Sequence, residues 1–230
     1  MKCANPYQKT NKLGFAQEFN CGRCLSCRIN RAEEWSERIM LELEDPKMKG
    51  DFLTLTYDDA RSCPLLPLAL AKRPAQLYFK RLRKAKNKIK YFACGEYGEK
   101  HGRAHIHAII LRGEDQPNYQ KHWPWGDVHI GTVTKSSARY CTGYLTKSNI
   151  IPEGKERWPP YQLQSQGIGE KWAKDPKNNI GELEWIPRYL AIKARHKINP
   201  TKKPSRHFTP IMVLKQRHLN LVAQRFCQKP

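Results

Sequence analysis

The chain has 230 residues, enough for one domain with appendages and a sizeable core, and 42 Lys and Arg against 21 Asp and Glu give a formal net charge of +21. That excess points to a polyanionic partner, nucleic acid first, whose counterions are released on binding. It carries no basic helix with a bulky apolar face for a membrane surface, and its densest apolar patch, 64–71, is short and broken by Pro67, which excludes a membrane span. The opening Met1-Lys2-Cys3-Ala4-Asn5-Pro6 has no apolar signal core, so the expectation is a cytosolic chain whose eight cysteines are reduced thiols or metal ligands.

Residues 1–30 read as a turn-rich arm. Cys21, Cys24 and Cys27 are spaced by two residues each, and Cys3 offers a fourth thiolate. Four sulfurs would form a closed structural Zn²⁺ site, while buried small residues or an iron–sulfur cluster remain open alternatives at this spacing. Ala32, Trp35, Ile39, Leu41 and Leu43 then predict a helix over 28–44, stopped by Asp45-Pro46. The apolar, β-branched run 52–57 predicts a buried strand, and a proline-bearing loop leads to a basic helix over 74–88 seated by Leu77, Tyr78, Phe79 and Leu82. That helix is dense in cations, with Lys80, Arg81, Arg83 and Lys84 expected to meet DNA phosphates.

Two antiparallel strands follow, 90–97 and 104–111, joined by a turn at Gly98–Gly102, and then a strand over 128–133. Ser136 or Ser137 is expected to cap a helix running to about residue 147. Strand, helix, two strands, strand and helix make an α+β pattern with helices against an antiparallel sheet. Three segments result: 1–45 as cysteine-rich arm and helix, 46–150 as core, and 151–230 as a basic, partner-facing extension packed on the core in part. From Trp185 on, that extension has eleven Lys or Arg and no acidic residue.

Chemistry concentrates in the core segment. His105 and His107 alternate with Ile106, so on a strand both imidazoles face one side and can reach one divalent ion. Glu96, across the hairpin, can bring a carboxylate beside them, and such a mixed set suits Mn²⁺, Mg²⁺ or Zn²⁺ acting as a Lewis acid on a phosphate oxygen. Tyr140 and Tyr144 are four apart on a predicted helix, which stacks both phenols on one face for attack on a phosphodiester, with Lys147 one turn beyond Tyr144 as a charge partner. On that ground Tyr144 is expected to be the first nucleophile. Trp123, Trp125, Trp158, Tyr161 and Trp172 lie in loop-like segments, where they either stack unpaired bases or seal loops onto the core.

Gly95-Glu96-Tyr97-Gly98 with His105-Ile106-His107, then Tyr140-Cys141-Thr142-Gly143-Tyr144-Leu145-Thr146-Lys147, resembles the signature of the HUH endonucleases of the two-tyrosine superfamily that initiate rolling-circle replication. With Cys21-Gly22-Arg23-Cys24-Leu25-Ser26-Cys27, Trp35 and Arg38-Ile39 included, the resemblance over roughly 1–150 is to the replication initiators of the Microviridae, in the gokushovirus branch. It implies an HUH/RRM-like sheet of about five strands, with His105, His107 and, less firmly, Glu96 as ligands of Mg²⁺ or Mn²⁺. It also implies Tyr140 and Tyr144 as nucleophiles and Lys147 as their basic neighbour. The implied activity is nicking and strand transfer on single-stranded or viral origin DNA through a 5′-phosphotyrosine bond, in the cytoplasm of the infected bacterial host. No Gly-x-x-x-x-Gly-Lys-Ser/Thr loop is present, so a host helicase and polymerase are implied as partners. The alternatives are a zinc-stabilised nucleic-acid-binding protein without catalysis, or a plasmid initiator or transposase of the same fold.

Overall fold

The computed structural model describes residues 1–10, 14, 16–58, 70–85, 88–99, 101–144, 151–153 and 155–175. Lys147, Cys63, Cys227, most of the apolar patch and the basic tail from Trp185 lie outside these residues. In chain order the elements are β1 (Tyr7–Thr10), β2 (Ala16–Phe19), α1 (Leu25–Leu43), β3 (Lys49–Thr56), α2 (Lys72–Lys84), β4 (Lys90–Tyr97), β5 (Ala104–Arg112), β6 (Val128–Thr132), α3 (Lys135–Gly143), β7 (Tyr161–Gln164) and α4 (Glu170–Lys174). They form two compact units, one of Leu43–Ile168 and one of Met1–Glu42 with the residues from Gly169 on.

The larger unit is built on a five-stranded antiparallel sheet in the order β6-β3-β5-β4-β7, and the expected α+β class with an antiparallel sheet holds. Strand alternation sorts the two faces. Leu53 and Leu55 of β3, Ile106, Ala108 and Ile110 of β5 and Ala93 of β4 share one face and form a fully buried core with Tyr78, Phe79 and Leu82 of α2. Each such Leu, Ile or Phe contributes roughly 1.5–3 kcal/mol through the apolar surface it removes from water. The opposite face carries Thr54, Glu96, His105 and His107, and α3 packs there.

Glycine matters at one close approach. A Cβ added at Gly95 would fall 2.7 Å from the Tyr161 ring, so β7 reaches β4 only because position 95 has no side chain. The fifth strand comes from a segment that the sequence reads as extension. Its four residues, Tyr-Gln-Leu-Gln, are too short and polar to announce a strand, and it forms because Tyr161 buries its ring over Gly95.

Three further expectations are corrected. The tyrosine helix is capped by Thr134, not Ser136 or Ser137: Thr134 is extended, its hydroxyl accepts from the Ser137 amide at 3.1 Å, and Ser137 Oγ accepts from the Thr134 amide at 2.7 Å. The basic helix starts at Lys72 and ends at Lys84, shorter than its run of charge. The arm is not all turn, since β1 and β2 pair as a hairpin.

Candidate metal centre and tyrosine pair

Glu96 is the direct cross-strand partner of His105, and His107 lies opposite Cys94 on β4 and opposite Thr54 on β3. The hairpin register brings the three groups together. It is held by the Gly98 amide donating to the Arg103 carbonyl and the Gly102 amide to the Gly98 carbonyl, each at 2.9 Å, with Gly102 at φ 57°. Glu96 Oε1 lies 2.7 Å from His105 Nε2 and 3.3 Å from His107 Nε2. One ligand atom from each of the three lies within 4.8 Å of the others, a spacing that can hold a metal ion.

The outer nitrogens are committed elsewhere. His105 Nδ1 is 3.1 Å from the Arg103 carbonyl oxygen, and His107 Nδ1 is 3.1 Å from Thr54 Oγ1. Both rings therefore turn Nε2 toward Glu96, as metal-bound histidines do when an outer partner fixes the tautomer. His107 Nε2 is buried and lacks a hydrogen bond, since its approach to Glu96 is a close ionic contact without hydrogen-bond geometry. Burial disfavours charge on His105, but its bonds to Glu96 and the Arg103 carbonyl outweigh this and raise its pKa. Burial likewise pushes Glu96 upward, and the two histidines outweigh it and lower its pKa. A cationic His105 donating from both nitrogens puts a proton where a metal ion would compete for Glu96. The set fits a divalent ion.

Helix α3 lays the phenols over this centre. The Tyr140 ring lies 5.3 Å and the Tyr144 ring 5.8 Å from His107, the first edge-on and the second stacked at 14°, and the two phenols are 5.1 Å apart. Phe52 stacks beneath His107 at 5.5 Å and meets Tyr140 edge-on. Cys141, between the tyrosines, packs its sulfur 3.6 Å from that of Cys94, which fixes the helix to β4 as a buried thiol contact. Tyr140 is exposed and Tyr144 half-buried. Burial, the hydrogen bond with Tyr140 and the nearby Glu96 charge raise the Tyr144 pKa. Its described surroundings do not make it the acidic phenol expected from Lys147.

Register, which sequence spacing does not carry, hid Thr54 and Phe52; the only hint was that 52, 54 and 56 share the face of β3 opposite Leu53 and Leu55. Of the basic residues on α2, Lys80 and Lys84 are exposed, whereas Arg83 donates to Ser165 Oγ at 2.7 Å and lies over Tyr91, and Arg81 lies over Trp125. Arg83 is thus engaged within the fold. The loop aromatics seal loops: Trp123 is fully buried and donates to the Thr56 carbonyl at 2.8 Å, Tyr161 is buried, and Trp125 and Trp158 pack on the core.

The larger unit is therefore an α+β module carrying a carboxylate and two histidines beneath a tyrosine pair. Residues 51–149, which span that centre and both tyrosines, match the family model of the replication-associated protein ORF2, and this segment belongs to that family. The chain is 30% identical over 188 residues to replication-associated protein ORF2 of Spiroplasma virus 4, covering 70% of this chain and 58% of the relative. It is 29% identical over 187 residues to replication-associated protein VP4 of Bdellovibrio phage phiMH2K, covering 67% and 57%, and 24% identical over 163 residues to replication-associated protein ORF4 of Chlamydia phage 1, covering 60% and 40%. The chain spans somewhat over half the length of the first two. No solved structure matches it. Among the described residues, no helix is long and apolar enough to cross a membrane.

Proposed function

We propose that this chain is a metal-dependent, site-specific single-strand DNA endonuclease and strand transferase of the HUH type, which initiates and terminates phage rolling-circle replication. One observation carries the reading: Glu96, His105 and His107 converge directly under Tyr140 and Tyr144. A sheet-borne hydrolase centre would account for the ligands but not for two phenols stacked upon them. A binding protein without catalysis has no use for either.

The chain's own groups divide the work. Glu96, His105 and His107 would hold Mg²⁺ or Mn²⁺, which when bound would withdraw charge from a phosphate oxygen and offset the Glu96 charge that keeps Tyr144 protonated. Thr54 and the Arg103 carbonyl orient the imidazoles, and Phe52 supports His107 from below. A phenol oxygen then bonds to phosphorus as it loses its proton, and the bond from phosphorus to the 3′-oxygen breaks. The departing oxygen takes up a proton as a free 3′-hydroxyl, and the 5′-phosphate stays on tyrosine. The second tyrosine attacks the next junction. Tyr144, stacked on His107, acts first, with Lys147 as its basic neighbour, and Tyr140 acts second. Lys80, Arg81 and Lys84 contact strand phosphates. Host helicase and polymerase supply unwinding and synthesis in the cytoplasm of an infected bacterium.

The test is incubation with Mg²⁺ or Mn²⁺ and single-stranded origin DNA, followed by a denaturing gel. A covalent protein–DNA adduct that disappears in His105→Ala and His107→Ala, with DNA affinity largely kept, is expected. Full activity in either variant rejects the metal reading.

A further inference from the structure

We propose that Cys3, Cys21, Cys24 and Cys27 form a closed structural zinc site that ties the segment before the β1–β2 hairpin to the start of α1. This does not rest on the endonuclease reading. The four sulfurs all lie within 4.8 Å of one another, with Cys21 to Cys27 and Cys3 to Cys24 both at 3.9 Å. A zinc ion with Zn–S near ~2.3 Å requires tetrahedral sulfur edges of about 3.8 Å. Two disulfides would instead draw sulfurs together in pairs, and an iron–sulfur cluster would spread the thiolates over separate irons. Four thiols converging on one point match a single ion.

The backbone is arranged to receive negative sulfur. The amides of Arg23 and Cys24 both donate to Cys21 Sγ, at 3.4 and 3.3 Å, around a turn made possible by Gly22 at φ 74°. The Cys21 amide donates to Cys3 Sγ at 3.2 Å, and the Ala4 amide to Cys24 Sγ at 3.5 Å. Three of the four sulfurs thus accept N–H groups, which favours thiolate over thiol. An all-sulfur set of four leaves no open position and selects zinc over Mg²⁺ or Mn²⁺, the opposite preference to the Glu96 centre.

The arm also lacks another source of order. Every residue of β1 is exposed, and the ring contact of the hairpin is Tyr7 stacked on Phe19 at 5.7 Å. A lone two-stranded hairpin is marginal in water. Asn30 Nδ2 donating to the Met1 carbonyl at 2.8 Å adds one exposed hydrogen bond, so a metal clamp is what can hold residues 3–27 in this arrangement.

The experiment is elemental analysis of the full chain purified without chelator, beside Cys21→Ser/Cys24→Ser and His105→Ala/His107→Ala. About one zinc per chain is expected in the parent and in the histidine variant, and about none in the cysteine variant, whose thermal midpoint falls. The parent exchanged with Co²⁺ should show thiolate-to-cobalt charge-transfer absorption, a readout that survives even if the cysteine variant fails to fold. Zinc lost in the histidine variant but kept in the cysteine variant overturns the proposal. So does iron in place of zinc, or a metal-free parent with Cys3–Cys24 and Cys21–Cys27 disulfides by mass spectrometry. Loss of nicking with zinc intact leaves this site standing and counts only against the endonuclease reading.

Discussion

A single hydroxyl on β3 decides which nitrogen of His107 faces Glu96. Thr54→Val keeps the side-chain volume and removes the partner 3.1 Å from Nδ1, so the ring loses its fixed tautomer without losing its place. Metal affinity should fall by roughly 10–100-fold while the thermal midpoint moves little, as read by Mn²⁺ titration beside a melting curve. Unchanged affinity would mean that packing by Phe52 alone orients His107. The tyrosines are separable by the same logic. Tyr144→Phe should lose most covalent adduct on an origin oligonucleotide, whereas Tyr140→Phe should nick once and fail to release circular product. Equal adducts in both single variants would make the phenols interchangeable, and nicking by the double variant would remove tyrosine from the reaction.

At the level of elements, β3, β4 and β5 were legible because their periods and apolar runs are long, and Glu96 was found because its distance from His105 fits a tight hairpin. The edge strand β7 was not, since its formation depends on the absence of a side chain at Gly95, which no local pattern encodes. Gly95→Ala should therefore destabilise the unit by displacing Tyr161 and β7, with a loss of about 1–3 kcal/mol in denaturant unfolding, whereas Gly113→Ala, at an exposed position, should cost far less. Another long-range link fixes the end of β5: Asp51 accepts from Arg112 Nε at 2.5 Å and from the Tyr119 hydroxyl at 2.6 Å. Burial alone would raise the Asp51 pKa, but these donors outweigh it and hold it below its ordinary 3.8. A lowered folded-state pKa gives stability that is present above about pH 4 and lost as pH falls through the lowered value. Asp51→Asn should flatten stability against pH in that acid window, and an unchanged slope by thermal melts from about pH 2 to 5 would assign acid sensitivity to other carboxylates.

For the molecule as a whole, the charge of +21 and the catalytic geometry are separate devices, and they respond to different perturbations. Charge was legible at once, but which cations remain available to a phosphate was not, because Arg83 is spent on Ser165 and Tyr91 and Arg81 lies over Trp125. Binding of a single-stranded oligonucleotide should weaken linearly in log affinity against log salt, and the slope should become shallower by about 0.7 for each phosphate contact removed. Lys80→Gln/Lys84→Gln should lower that slope and leave the melting temperature nearly unchanged, since both side chains are exposed. Arg83→Gln should do the reverse, lowering thermal stability through the lost bond to Ser165 with little change in slope. His105→Ala/His107→Ala should keep the parental slope while abolishing the adduct. A parental slope in the double lysine variant would move the strand's path off α2 and onto other basic surface of the chain.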